Sequence, residues 1–176
     1  MDVNLSGTQV TKISGCPVYP YHDLTKYIDL EEMLGNKAGF TILYEQKYND
    51  GHYCAVLLQP DGLEFFDSYG SHFSGGGIDS ELKYSPYDLH LVKNKYFTDD
   101  EHGTNHTLKH LISDYTKKHN IPLIVNTYDY QSDHDGVNTC GRWSGYRIRK
   151  HDLTLPEFKN LGLTDQSIVK ITNQFL

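Results

Sequence analysis

The chain has little cysteine and no local pair that would put it to structural use. Cys16, Cys54 and Cys140 are its three cysteines, and none belongs to a CxxC pair. That argues against a disulfide framework and against a zinc ribbon, and leaves room for one reactive thiol. Long apolar runs are missing too: none approaches the roughly 18 residues of a membrane-spanning helix. The opening Met1-Asp2-Val3-Asn4 has neither the positive charge nor the apolar segment of a signal peptide, so the protein is expected to stay inside the cell that makes it. Positive charge is scarce, with 16 Lys and Arg against 23 Asp and Glu and a net charge of −7. Phosphate binding needs clustered cations, so neither nucleic acid nor an anionic membrane surface is an expected partner. No stretch is low enough in complexity to read as disordered.

What is present suits one globular domain over residues 1–176, long enough for a real core. Fourteen tyrosines favour strands and sheet-facing loops. Residues 1–20, interrupted by Pro17 and Pro20, read as an irregular arm carrying Cys16. Asp23 to Leu34 reads as a short helix, capped by Asp23, with Leu24, Tyr27, Ile28 and Leu34 on its apolar stripe and Gly35 at its end. Phe40 to Tyr44 is a strand, and Asn49-Asp50-Gly51 turns the chain into a second strand, His52 to Leu58. Pro60-Asp61-Gly62 turns it again into a third, Leu63 to Phe66. The glycine-rich stretch 70–79 lacks a phosphate-cradle motif and reads as a loop.

Thr98-Asp99-Asp100-Glu101 is a helix start, and Leu108, Leu111, Ile112 and Tyr115 carry helical spacing to His119. Ile121 to Val125 suits a buried strand. A further helix runs from Cys140 to about His151, capped by Asn138 or Thr139 and crowded with cations at its end. Pro156 breaks the pattern, and Thr164 to Phe175 is a last amphipathic helix with Ile168, Val169, Ile171 and Phe175 inside.

Four residues stand out as candidates for one chemistry. A thiol attacks only as thiolate. Cys140 begins a helix, where unpaired N–H groups favour negative charge, and Arg142 lies in the same turn. Pairing across the Pro60-Asp61 turn brings His52, at the start of one strand, to Asp67, just past the end of the next. His52 would then act as base, with Asp67 fixing its tautomer. Gln131 and the Cys140 backbone N–H would serve a developing oxyanion, with Asn126 or Asn138 as alternative donors. Each residue alone has an ordinary structural reading: a buried thiol, a strand-end histidine, a turn aspartate, a loop glutamine. Their joint arrangement carries the argument. A metal site on His52, Cys54, Cys140 and His134 competes for the same residues, but the tight local ligand pairs usual for zinc are missing. Cys54 shares a strand face with His52 and reads as core.

The stretches Gly51-His52-Tyr53 to Gly70 and Tyr130-Gln131 to Trp143 resemble the adenovirus-protease and Ulp/SUMO-protease clan of cysteine peptidases. They look most like the maturation proteases of mavirus-type virophages and Maverick/Polinton elements. Tyr53 stands where a Trp is more usual, and the Gln131-to-Cys140 separation is longer than is common in the clan.

The resemblance implies an α+β fold in which an antiparallel sheet bearing His52 and Asp67 packs against a central helix that starts at Cys140. It implies Cys140 as nucleophile, His52 as base, Asp67 as its orienting partner and Gln131 in the oxyanion hole. The implied function is a viral cysteine endopeptidase that cleaves capsid precursors in the host cytoplasm and virion, without cofactor or metal and with an activating peptide as a possible partner. Clan relatives with a DNA cofactor are basic, so none is expected for this acidic chain. A ubiquitin- or SUMO-type isopeptidase, an acetyltransferase and a non-catalytic interaction protein are the rival readings.

Overall fold

The computed structural model describes residues 4–47, 50–70, 108–132 and 137–176. The expected loop around Gly75-Gly76-Gly77, the helix start at Thr98, His134 and Asn49 of the expected turn lie outside these residues.

The elements in order are α1 (Gly7–Ser14), β1 (Val18–Pro20), a 3-10 turn (Tyr21–Lys26), α2 (Leu30–Leu34), β2 (Gly39–Lys47), β3 (Asp50–Gln59) and β4 (Gly62–Phe66). They continue with α3 (Leu108–His119), β5 (Leu123–Val125), α4 (Cys140–Arg149), α5 (Leu155–Lys159), α6 (Asp165–Thr172) and a closing 3-10 turn (Asn173–Phe175). The class is mixed α and β, as expected. The sheet, however, is mixed and not antiparallel: the strand order is β1-β2-β3-β4-β5, with β2-β3-β4 antiparallel and the short β1 and β5 added in parallel at either edge.

Strand alternation gives the sheet two buried faces. Phe40, Ile42, Tyr44, Cys54, Val56, Leu63 and Phe65 face a layer built from Leu30, Met33 and Leu34 of α2 and Leu108, Leu111 and Ile112 of α3. Leu43, Tyr53, Ala55, Leu57 and Phe66 face the other layer, with Val10 and Ile13 of α1, Trp143 and Ile148 of α4, Phe158 of α5 and Ile168 of α6.

The N-terminal residues are not an irregular arm. Ser6 and Gln9 close a reciprocal capping box on α1, which buries Val10 and Ile13, and Gly15 ends it in the left-handed region (φ 73°). Cys16 is core. The two prolines exclude the N–H groups they lack, yet leave Val18–Pro20 able to pair as an edge strand. The expected helix from Asp23 is two pieces. Asp29, not Asp23, caps α2, and Ile28 is 65% exposed between them. β5 is an edge strand with Leu123 exposed, not a buried one. Pro156 sits in the first turn of α5, where its missing N–H costs nothing, and so starts a helix. No helix among the described residues is long and apolar enough to cross a membrane.

Helix α4 is buried at every position from Gly141 to Ile148, although its sequence is polar. Small residues let it in: a Cβ on Gly141 would lie 2.9 Å from Val10 Cγ2 and 3.1 Å from the Tyr53 ring, and one on Gly145 3.0 Å from Ile13 Cγ2. Ser144 Oγ donates to the Tyr53 carbonyl at 3.0 Å. Arg147 is wholly buried and makes a two-pronged pair with buried Glu64 of β4, Nε to Oε1 at 3.1 Å and Nη2 to Oε2 at 2.7 Å. Two further N–H groups donate to the Lys150 and Leu153 carbonyls.

Candidate active site

The hairpin β3-β4 sets the geometry. Ala55 pairs with Phe66, so the register carried one step further places Asp67 opposite Cys54 and diagonal to His52. His52 and Cys54, two apart on β3, share that face. The three side chains therefore converge, and one donor atom from each lies within 4.8 Å of the other two, with all three residues buried. His52 Nε2 donates to Asp67 Oδ1 at 2.9 Å. With a carboxylate as acceptor, Nε2 carries the proton and neutral His52 presents Nδ1 as a base.

Asp67 is held from three sides. Its Oδ1 also accepts from the Tyr69 N–H at 3.0 Å. Buried Asn126 accepts from the Asp67 N–H at 2.9 Å and donates to the Asp67 carbonyl at 2.6 Å. Gly70 turns the chain away with φ 57°, where a side chain would run into the Tyr128 carbonyl. The Tyr69 ring stacks on the His52 ring with centroids 5.1 Å apart.

Cys140 comes from the layer on the opposite face. It is the first residue of α4, partly exposed, and its thiol lies within hydrogen-bonding reach of the His52 ring. Gly141 against Tyr53 is what permits this approach, since the helix start can then descend onto the residue after His52. Thr139 occupies the cap position but makes no capping bond. Its hydroxyl donates to Asp165 instead, at 2.6 Å.

Burial disfavours an imidazolium at His52, but the neighbouring Cys54, the Asp67 charge and the hydrogen bonds to Asp67 and Cys140 overcome it. The His52 pKa stands well above the ordinary 6.5. Burial, and then Asp67, pushes the Cys54 thiol up to about 12. Cys54 is therefore neutral at pH 7, and the charge that sustains the imidazolium there is that of Asp67. A partly exposed thiol beside a carboxylate-held imidazole can exchange its proton for nucleophilic character.

The other expected residues are placed differently. Gln131 is buried, but its amide is engaged: Oε1 accepts from Ser68 Oγ at 2.8 Å, and Nε2 donates to the Tyr69 hydroxyl at 3.1 Å and the Val137 carbonyl at 3.0 Å. Asn126 braces the Asp67 backbone, and Asn138 is exposed. Arg142, expected beside the thiolate, sends its guanidinium to Thr172 and Asn173 at the end of α6.

Asp165, the residue after the Thr164 cap of α6, carries no distinguishing signal in the sequence. Its buried carboxylate accepts from Thr139 Oγ1, from Trp143 Nε1 at 2.9 Å and from the Ser132 N–H at 2.9 Å. It ties the start of α4 to the residue after Gln131. Tyr69, Ser68 and Asn126 have supporting roles that only the folded chain reveals.

The chain is similar to "Uncharacterized protein V9" of Sputnik virophage, with 32% identity over 153 residues, 86% of this chain and 78% of that protein. No protein-family model matches the chain, and no solved structure does.

Proposed function

The chain belongs to the family of that virophage protein, and we propose that it is a virophage cysteine endopeptidase that cleaves capsid precursors during particle maturation. One observation carries the reading: a buried His52–Asp67 pair whose ring reaches a partly exposed thiol at the first residue of a helix. Virophage kinship supports the viral setting. The peptidase clan and its fold rest on the resemblance of the motifs around His52, Asp67 and Cys140.

In this reading Asp67 accepts the Nε2 proton, Nδ1 takes the Cys140 proton, and the thiolate attacks the scissile carbonyl. The imidazolium returns the proton to the leaving amine, and water, activated by the same nitrogen, releases the acyl group from sulfur. The Cys140 backbone N–H is one oxyanion donor. Gln131 supplies the second if it exchanges the Val137 carbonyl or the Tyr69 hydroxyl for the substrate oxygen. The partner this reading requires is a polypeptide substrate, with an activating peptide as the second candidate. The expected location is the host cytoplasm and the virion.

The test is cleavage of virophage capsid precursors by the purified chain, beside a ubiquitin-like fusion and an acetyl donor with peptide. Precursor cleavage that is lost in Cys140→Ala and in His52→Ala, both folded, supports the reading. Near-normal turnover by either variant overturns the assignment, and cleavage of the fusion alone favours an isopeptidase.

A further inference from the structure

The cluster behind the imidazole holds one group more than acyl transfer needs. Cys54 is fully buried, takes no part in the proposed reaction, and places its sulfur in the same 4.8 Å cluster as donor atoms of His52 and Asp67. We propose that His52, Cys54 and Asp67 form a binding site for a thiophilic divalent cation, Zn2+ by its donor set, and that occupation silences Cys140.

The donors fit the ion. Ligand atoms at about 2.0–2.3 Å from a tetrahedral Zn2+ lie roughly 3.3–3.8 Å from one another, so a cluster already inside 4.8 Å closes with small side-chain rotations. One thiolate, one imidazole and one carboxylate suit Zn2+, whereas Mg2+ and Ca2+ want oxygen alone. Charge also favours it: the Cys54 thiolate and the Asp67 carboxylate neutralise the dication, and a buried site prefers a neutral set. The ligands come from a hairpin diagonal, which explains why no local motif announces them.

The proton balance gives the consequence. On binding, Cys54 loses its proton to solvent. His52 gives up its bond to Asp67, releases its Nε2 proton to solvent and coordinates through Nε2, so the neutral ring keeps one proton, on Nδ1. An imidazole protonated at Nδ1 cannot take the Cys140 proton. Silencing therefore rests on the proposed reading of Cys140 and His52, whereas binding does not.

Cobalt(II) separates the two. Wild-type protein should bind one Co2+, with a thiolate-to-metal charge-transfer band in the near ultraviolet, and Zn2+ should displace it stoichiometrically. Cys54→Ser should lose the band and weaken Zn2+ binding by about tenfold or more, as the loss of a ligand costs at least what loss of a supporting partner does. Cys140→Ser should keep the band. No band in the wild type, or a band lost in Cys140→Ser and kept in Cys54→Ser, overturns the site. Iodoacetamide labelling of Cys140 in metal-free protein reports on the proposed nucleophile separately. Rapid labelling that Zn2+ slows supports silencing. Rapid labelling that Zn2+ leaves unchanged overturns silencing while leaving the peptidase reading standing.

Discussion

Asp67→Asn isolates the charge that holds the imidazolium. Asparagine is nearly isosteric, and its Oδ1 can still accept from the Tyr69 N–H, so the turn at 67–70 survives. What disappears is a charge-assisted hydrogen bond at 2.9 Å between side chains only 7% and 0% exposed, where solvent screens little. Hydrogen bonds to charged groups contribute about 1.5–3 kcal/mol. At about 1.4 kcal/mol per factor of ten, the proposed mechanism then expects Cys140 labelling at a fixed acidic pH to slow by roughly tenfold to a hundredfold. The assay is iodoacetamide labelling against pH, with the modified cysteine mapped by mass spectrometry and buried Cys16 and Cys54 as internal references. In the wild type Cys140 should label fastest, and at about pH 6 Asp67→Asn should lie between wild type and His52→Ala. A rate for Asp67→Asn within twofold of wild type across the pH range would refute the reasoning. Linkage supplies a second readout. Because folding raises the His52 pKa, the pair stabilises the fold fully below about 6.5, and that contribution is lost as pH rises through the raised value; the variant should lack this slope.

Three further predictions concern the frame around the site. Glu64→Leu strands the buried Arg147 charge and should cost about 3–5 kcal/mol of unfolding free energy, most of it recovered in Glu64→Leu/Arg147→Met. Urea unfolding of the three proteins checks this, and a double variant no more stable than the single one would show that the stranded charge is not the cause. Asp165→Asn leaves Thr139, Trp143 and Ser132 with a weaker or missing acceptor, so Cys140 labelling should slow several-fold while far-ultraviolet dichroism is unchanged. Unaltered labelling would make Asp165 a stability residue only. Finally, Glu31 joins α2 to α3 through Lys118 and His119; partial burial opposes its charge, but these two bonds win and hold its carboxyl at about 2. Its contribution is present above the ordinary carboxylate range and is lost as pH falls toward about 2, so Glu31→Gln should flatten the acid limb of a stability profile. An unchanged limb would remove the pair from the account of acid unfolding.

The antiparallel hairpin and its consequence for His52 and Asp67 were legible because alternation, turn residues and strand length are local quantities. The helix starting at Cys140 was legible for the same reason, through the loop before it and the cations after it. Less legible was anything whose partner lies far along the chain. The N-terminal residues read as irregular because two prolines dominate the pattern, yet Ser6 and Gln9 supply a capping box, and α1 gains its stability from packing on Gly141 and Gly145. The edge strands β1 and β5, three residues each, are too short to show a period and exist because β2 and β4 offer them partners in parallel.

The sequence by itself determined which residue types meet at the hairpin and helix start, since chain order and local periodicity suffice to bring His52 to Asp67 and to put Cys140 at an N-terminus. Tertiary structure decided the rest. The register set Asp67 opposite Cys54, turning an expected core cysteine into a third member of the cluster. Two glycines let a polar helix enter the core and deliver Cys140 from the other face of the sheet. Arg142, Asn126 and Gln131 were drawn to backbone and side-chain partners remote in sequence, because a buried polar group must find its hydrogen bonds wherever the fold provides them.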